Sequence, residues 1–202
     1  MAQEDRKIVS FWNWFEDNKE NLKPDEINRE LINILNDKIL DFGDLSWEIR
    51  EGTQKENMFI ISPGGNFKLL SKSRQIISMS PVLLDWEFYH YKPAKNWDYK
   101  LSIYEDSEIK IIDVSLWEYV LYKFKDNTFD IILKAKNIKS LSDDEKYTLA
   151  DIVLESILGE EESLTLIKNI EFVKDFNIGD NSKKSSIRLF KNHIEHLMNI
   201  DL

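Results

Sequence analysis

Apolar residues recur at helical spacing from the start of the chain. Ile8, Phe11, Trp12, Phe15 and Leu22 fall on one stripe of a 3.6-residue helix. Trp14 sits roughly 100° off that stripe, on a flank shared with Asn18, which marks it as a contact residue. A second helix is expected to open at Lys23-Pro24-Asp25-Glu26, with Pro at its first position and two acids favoured by the helix dipole. Ile27, Leu31, Ile34, Leu35 and Phe42 would form its inner face until Gly43 stops it. The period then shortens to two. Trp47 to Glu51 alternates as a strand does, and Met58 to Ile61 is a short apolar run consistent with a second. Pro63-Gly64-Gly65-Asn66 is a turn, Leu69 to Met79 a helix ending before Pro81, and Trp86 to Tyr91 a further strand.

The second half repeats this order. Ile109 to Val114, Trp117 to Phe124 and Phe129 to Ala135 read as strands, the last two joined by a hairpin at Asp126-Asn127. Ser142-Asp143-Asp144-Glu145 is a capping box. The helix it opens buries Ala150, Val153, Leu154, Ile157 and Leu158 and ends at Gly159. Leu164 to Val173 reads as a strand, and a polar loop leads to a last helix with Ile187, Phe190, Ile194, Leu197 and Met198 on one face.

Each half therefore reads strand, strand, helix, strand, an echo of order and not of sequence. The expected fold is α+β: a largely antiparallel sheet with helices packed on it. No Pro/Gly/Ser-rich linker divides the halves, so residues 1–202 read as a single α+β domain. Ala94 to Glu108 is the longest expected connection, and long connections often carry function.

Composition narrows the classes. Hydrophobic content of 42% with 12% aromatic is ample for a buried core. Nothing approaches the apolar run of a transmembrane helix, and the charged start Met1-Ala2-Gln3-Glu4-Asp5-Arg6-Lys7 has no apolar stretch after it, so neither a membrane span nor a signal peptide is expected. The absence of Cys removes disulfides, thiolate nucleophiles and Cys-based zinc sites, and a cytoplasmic location suits the chain. A net charge of −10 argues against general nucleic-acid binding. The charge is uneven. Residues 63–100 carry Lys68, Lys72, Arg74, Lys92, Lys95 and Lys100 against three acids, whereas residues 141–202 carry 13 acids against seven Lys and Arg.

No catalytic, cofactor or metal motif stands out. His193 and His196 lie three apart on the last helix, but no third ligand is marked near them, and His90 sits between aromatics on a strand. Ser62-Pro63-Gly64-Gly65-Asn66 precedes a helix as phosphate-cradling loops do, yet lacks the Lys-Ser/Thr ending. Glu160-Glu161-Glu162 follows a helix end, where acids are electrostatically misplaced, and reads as a solvated acidic corner. The helix separates these acids from Asp143 and Asp144 by roughly 20 Å or more, which rules out a shared carboxylate site. Trp97 and Tyr99, after Pro93, read as accessible, and Trp and Tyr are enriched at interface hot spots.

Several short markers run along the chain: Phe11-Trp12 with Trp14-Phe15, Leu45-Ser46-Trp47-Glu48-Ile49, Phe59-Ile60-Ile61-Ser62 with Gly65-Asn66, Trp86-Glu87-Phe88 with Lys92-Pro93, and Leu158-Gly159-Glu160. In these the chain resembles, end to end, an uncharacterised family of bacterial proteins of about this length that is common in Bacteroidota. The similar proteins carry Ala at the position of Ser80. The resemblance implies a single bacterial domain and no activity, cofactor or site residue.

The expected function is that of a non-catalytic cytoplasmic binding protein, immunity-like or antitoxin-like, that meets a basic protein partner through Trp14, Trp97, Tyr99, Glu160, Glu161 and Glu162. Two alternatives stand beside it. One is an enzyme on a small or phosphorylated substrate using His90 and the 63–100 basic island. The other is an oligomer-forming structural module.

Overall fold

The computed structural model describes residues 3–105 and 108–199. The chain is α+β, with strands in three mostly antiparallel sheets, and its contacts divide it into two compact units, Met1–Lys92 and Pro93–Leu202.

The first unit comprises α1 (Gln3–Asn18), α2 (Arg29–Leu40), β1 (Ser46–Glu51), β2 (Asn57–Ser62), α3 (Leu70–Ser78) and β3 (Trp86–Tyr89). β1 and β2 form an antiparallel hairpin, and the chain crosses over through α3 to set β3 parallel to β2. The apolar stripe is buried as its spacing requires: Ile8, Phe11, Trp12 and Phe15 of α1, and Leu22 in the 3-10 turn Lys19–Leu22 after it, are all core. Phe15 has no exposed surface; it stacks on Phe59 at 4.9 Å and meets Trp86 edge-on at 5.0 Å. The Trp12 indole reaches across the core and donates to the Ile76 carbonyl at 2.9 Å. Glu87, buried on β3, accepts from the Thr53 and Gln54 amides and the Thr53 hydroxyl, so its carboxylate ties down the β1–β2 turn.

Two expectations change here. α2 begins at Arg29 and not at Pro24, because the Asn28 side chain accepts from the Leu31 amide at 3.0 Å and caps the helix there. Its buried residues are Leu35 and Ile39, and Ile34 lies at the surface.

The second unit comprises β4 (Lys100–Glu105), β5 (Glu108–Asp113), β6 (Glu118–Lys123), β7 (Phe129–Lys134), α4 (Asp143–Leu158), α5 (Glu160–Leu166), β8 (Ile167–Phe172), α6 (Ile178–Asn181), β9 (Ser185–Ser186) and α7 (Phe190–Asn199). The main sheet has the order β8-β7-β6-β9. β6 and β7 form an antiparallel hairpin, and α4 and α5 cross over to set β8 parallel to β7. The order expected for each half is thus real, and both hairpins continue into a parallel third strand beside their second. The capping box at Ser142 and Glu145 is formed, and the helix it opens buries the five residues its spacing marks.

The stretch 94–108 is not one long connection: it contains β4, which pairs with β5 in a ribbon of its own. The strand expected from Leu164 begins only at Ile167, because residues 160–166 form a second helix end to end with α4. Gly159, at φ 92° and ψ 156°, is the joint between them. Its amide closes α4 on the Glu155 carbonyl at 2.8 Å, and its carbonyl accepts from the Ser163 amide at 3.0 Å to open α5.

Candidate functional site

Strand alternation in the second unit sends Phe129, Ile131 and Leu133 of β7 into the core and leaves Asp130, Ile132 and Lys134 on the opposite face of the sheet. The register places Tyr122 of β6 and Asn169 of β8 beside Asp130, and Val120 and Glu171 beside Ile132. The chain leaving β8 then folds back over this face. Together they enclose a cleft of about 440 Å³ lined by Tyr122, Asp130, Asn169 and Glu171 from the strands and by Asp175, Phe176, Asn177 and Asp180 from the returning segment.

Four carboxylates therefore converge on one cleft. Asp180 is buried, accepts from the Tyr122 hydroxyl and from Asn177 Nδ2 at 2.6 Å, and is thereby a fixed part of the wall. The bond to the Asp180 carboxylate pushes the Tyr122 phenol above its ordinary value, so this hydroxyl stays protonated as a donor. Asp130 accepts from Asn169 Nδ2 at 2.9 Å. Asp175 pairs with Lys134 at 3.1 Å, and that ammonium also lies 5.5 Å from the Phe176 ring centroid. Hydrogen bonding to Lys134 holds the Asp175 carboxyl below its usual range. Glu171 is exposed and makes no ion pair among the described residues. Carboxylates beside aromatic faces are complementary to an ammonium or guanidinium group. Among the described residues no three His, Asp or Glu side chains are grouped to hold a metal ion.

No known protein family, curated protein or solved structure matches the chain.

The residues singled out from the sequence are distributed otherwise. Trp14 is half-buried in the first unit, 6.3 Å from Phe11, with the Lys38 ammonium 4.9 Å from its ring centroid. Trp97 and Tyr99 are likewise half-buried and stack on each other at 5.1 Å, and the Arg188 guanidinium stands 5.0 Å from the Tyr99 ring. Tyr99 adopts φ 63°, held by the Val114 amide donating to its carbonyl at 2.7 Å. The three glutamates follow the end of α4 at Gly159, as expected, but they do not form a solvated corner. They are the first turn of α5, where negative charge suits the dipole, and Glu160 is 1% exposed, which removes it from any contact surface. Of the other two, Glu161 is half-buried and Glu162 is exposed.

The 63–100 island is spread out: Lys72 pairs with Glu4, Lys92 with Glu48 at 3.8 Å and Lys100 with Asp98 at 3.7 Å. His90 lies just past β3, half-buried against Tyr91, with its carbonyl bonded by the Ser73 hydroxyl. Sequence reading missed Asp130, Glu171, Asp175 and Asp180 because they lie up to fifty positions apart; the only local signal was an acid interrupting each apolar strand.

His193 is turned inward, with Nδ1 2.9 Å from the Tyr119 hydroxyl. Burial raises that phenol to about 12, so it donates and the imidazole accepts. Burial, with His196 nearby, lowers the His193 pKa below its ordinary 6.5. Between the lowered value and 6.5 the unfolded chain binds more protons at this ring than the folded one. The stability from this site is therefore complete above 6.5 and is lost as pH falls through the folded value. Denaturant midpoints from pH 7.5 to 5.5 should decline in the parent protein and decline less in His193→Gln; parallel declines would refute the assignment.

Proposed function

We propose that this chain is a non-catalytic cytoplasmic binding protein whose second unit takes up a basic segment of a partner protein, as immunity proteins and antitoxins do. The observation that carries the reading is the cleft on the outer face of the β6–β7–β8 sheet, where four carboxylates, two Asn and two aromatic rings surround about 440 Å³. Its lining has no histidine, lysine or arginine, while Lys134 and Lys183 stand beside it, each 5.5 Å from a ring centroid, that of Phe176 and that of Tyr122 respectively. A Lys or Arg side chain entering it would meet the Asp130 and Glu171 carboxylates, which form no ion pair among the described residues. The acidic character expected of the contact surface is kept, and its residues are new: Asp130 and Glu171 take the place of Glu160 and Glu161.

Capture of partner from a lysate at low and moderate salt, followed by affinity measurement on the purified pair, tests this. The double variant Asp130→Asn with Glu171→Lys is expected to bind at least about tenfold more weakly, with the difference shrinking as salt rises. Glu162→Lys should change little. Equal affinities for the parent and the cleft variant would remove the cleft from the interface.

A further inference from the structure

β7 and β8 are the parallel pair of the second unit, and their carboxyl ends, at Lys134 and Phe172, lie side by side with the Val173 amide donating to the Leu133 carbonyl at 2.9 Å. In open α/β sheets ligands settle outside the carboxyl ends of parallel strands at a switch point between crossovers; this sheet has, among the described residues, a single parallel pair and offers only its strand ends. A depression of about 500 Å³ occupies that place. Lys136 and Lys139 enter it from the segment after β7, Lys146 from the second turn of α4, and Lys174 from the segment after β8. Asp143 is the single acid in the lining, and it is engaged by Lys146 at 2.8 Å. Lys136, Lys139 and Lys174 are exposed and form no ion pair among the described residues.

Three ammonium groups that form no ion pair among the described residues, two of them within the field of Asp175, thus line one depression in a chain of net charge −10. Their floor is apolar, made by Ala135, Phe172 and Val173. The first turn of α4 carries Asp143, Asp144 and Glu145, so the helix end itself does not favour an anion and the lysines must supply the attraction. A volume of this size suits a small organic molecule.

We propose that this depression binds a small phosphorylated molecule, its diphosphate or equivalent anionic group held by Lys136, Lys139 and Lys174 and its less polar part laid against Phe172. The site adjoins the acidic cleft, with Val173 lining both, but the proposal does not depend on the partner reading. It also places phosphate recognition away from Ser62-Pro63-Gly64-Gly65, which lies at the matching carboxyl end of β2 in the first unit.

Titration calorimetry of the full chain with ADP, inorganic pyrophosphate and adenosine provides the test. ADP and pyrophosphate should bind, ADP more tightly, and adenosine should not. Lys136→Ala and Lys174→Ala should each weaken ADP roughly tenfold, while Lys68→Ala, in the first unit, should leave it unchanged. All three lysines are exposed, so the variants are expected to fold as the parent does. Absence of ADP and pyrophosphate binding at millimolar concentration would overturn the proposal. So would equal affinity for adenosine or equal loss in Lys68→Ala.

Discussion

Replacing Phe15 by Ala is expected to destabilise the first unit by about 3–5 kcal/mol, among the largest effects a single truncation produces. The ring has no exposed surface and lies among Trp12, Phe59, Trp86 and Phe88, with centroids between 4.9 and 5.6 Å away. Removing it deletes contacts to four aromatic groups held by α1, β2 and β3, and the rigid rings around it cannot collapse to refill the space. In a unit of this size the melting transition should fall by about 12 °C or more. Trp14→Ala is the informative comparison. It is the larger side chain, but it is only half-buried, and its loss should cost well under half as much. A Phe15→Ala protein that melts within a few degrees of the parent would mean that this core is looser than its geometry.

Gly159→Ala is expected to cost about 1–3 kcal/mol, through the backbone alone. At φ 92° and ψ 156° the residue lies in a region essentially reserved for glycine, where a Cβ collides with its own backbone. The joint has consequences on both sides. It ends α4 and starts α5 within one residue, which carries Glu160 into the interior and sets the angle from which the chain enters β8. An alanine there would favour running α4 on as a continuous helix, which keeps the Ser163 bond to the residue-159 carbonyl but turns the Glu162 amide onto the Leu158 carbonyl and shifts β8 against β7. The readout is the unfolding midpoint together with hydrogen exchange at the Glu162 amide, in the first turn of α5. Parent-like values for both would show that the joint is not strained. Because β8 supplies Glu171 to the cleft and its far end borders the lysine depression, the same variant should weaken ligand binding at both places.

The cleft and the depression share Val173, one lined by four carboxylates and the other by four lysines. Lys134 and Asp175 stand between them as an ion pair, with Lys136 and Lys139 adding to the positive field at Asp175. The segregation of sign over so short a distance follows from the parallel crossover. It brings the ends of β7 and β8 together and lets the chain beyond β8 turn back over the sheet.

The sequence by itself determined what depends on near neighbours. Helical spacing marked the buried stripe of α1 and the inner face of α4, period two marked the strands, and Ser142 with Glu145 marked a helix start, because each is set by residues within four positions of one another. Those same signals failed where two local causes competed. The helix expected from Pro24 opens only at Arg29, where the Asn28 side-chain bond caps it; Gly159 ended one helix and began another, a double role that no spacing reveals. Only the tertiary structure decided which acids and lysines stand together. Asp130, Glu171 and Asp180 meet because strand register and a returning segment place them on one face, and Lys136 meets Lys174 because a parallel crossover aligns two strand ends. Charge acts through space over a few ångströms, and the chain distances between these groups are tens of residues, so the grouping exists only once the sheet has formed.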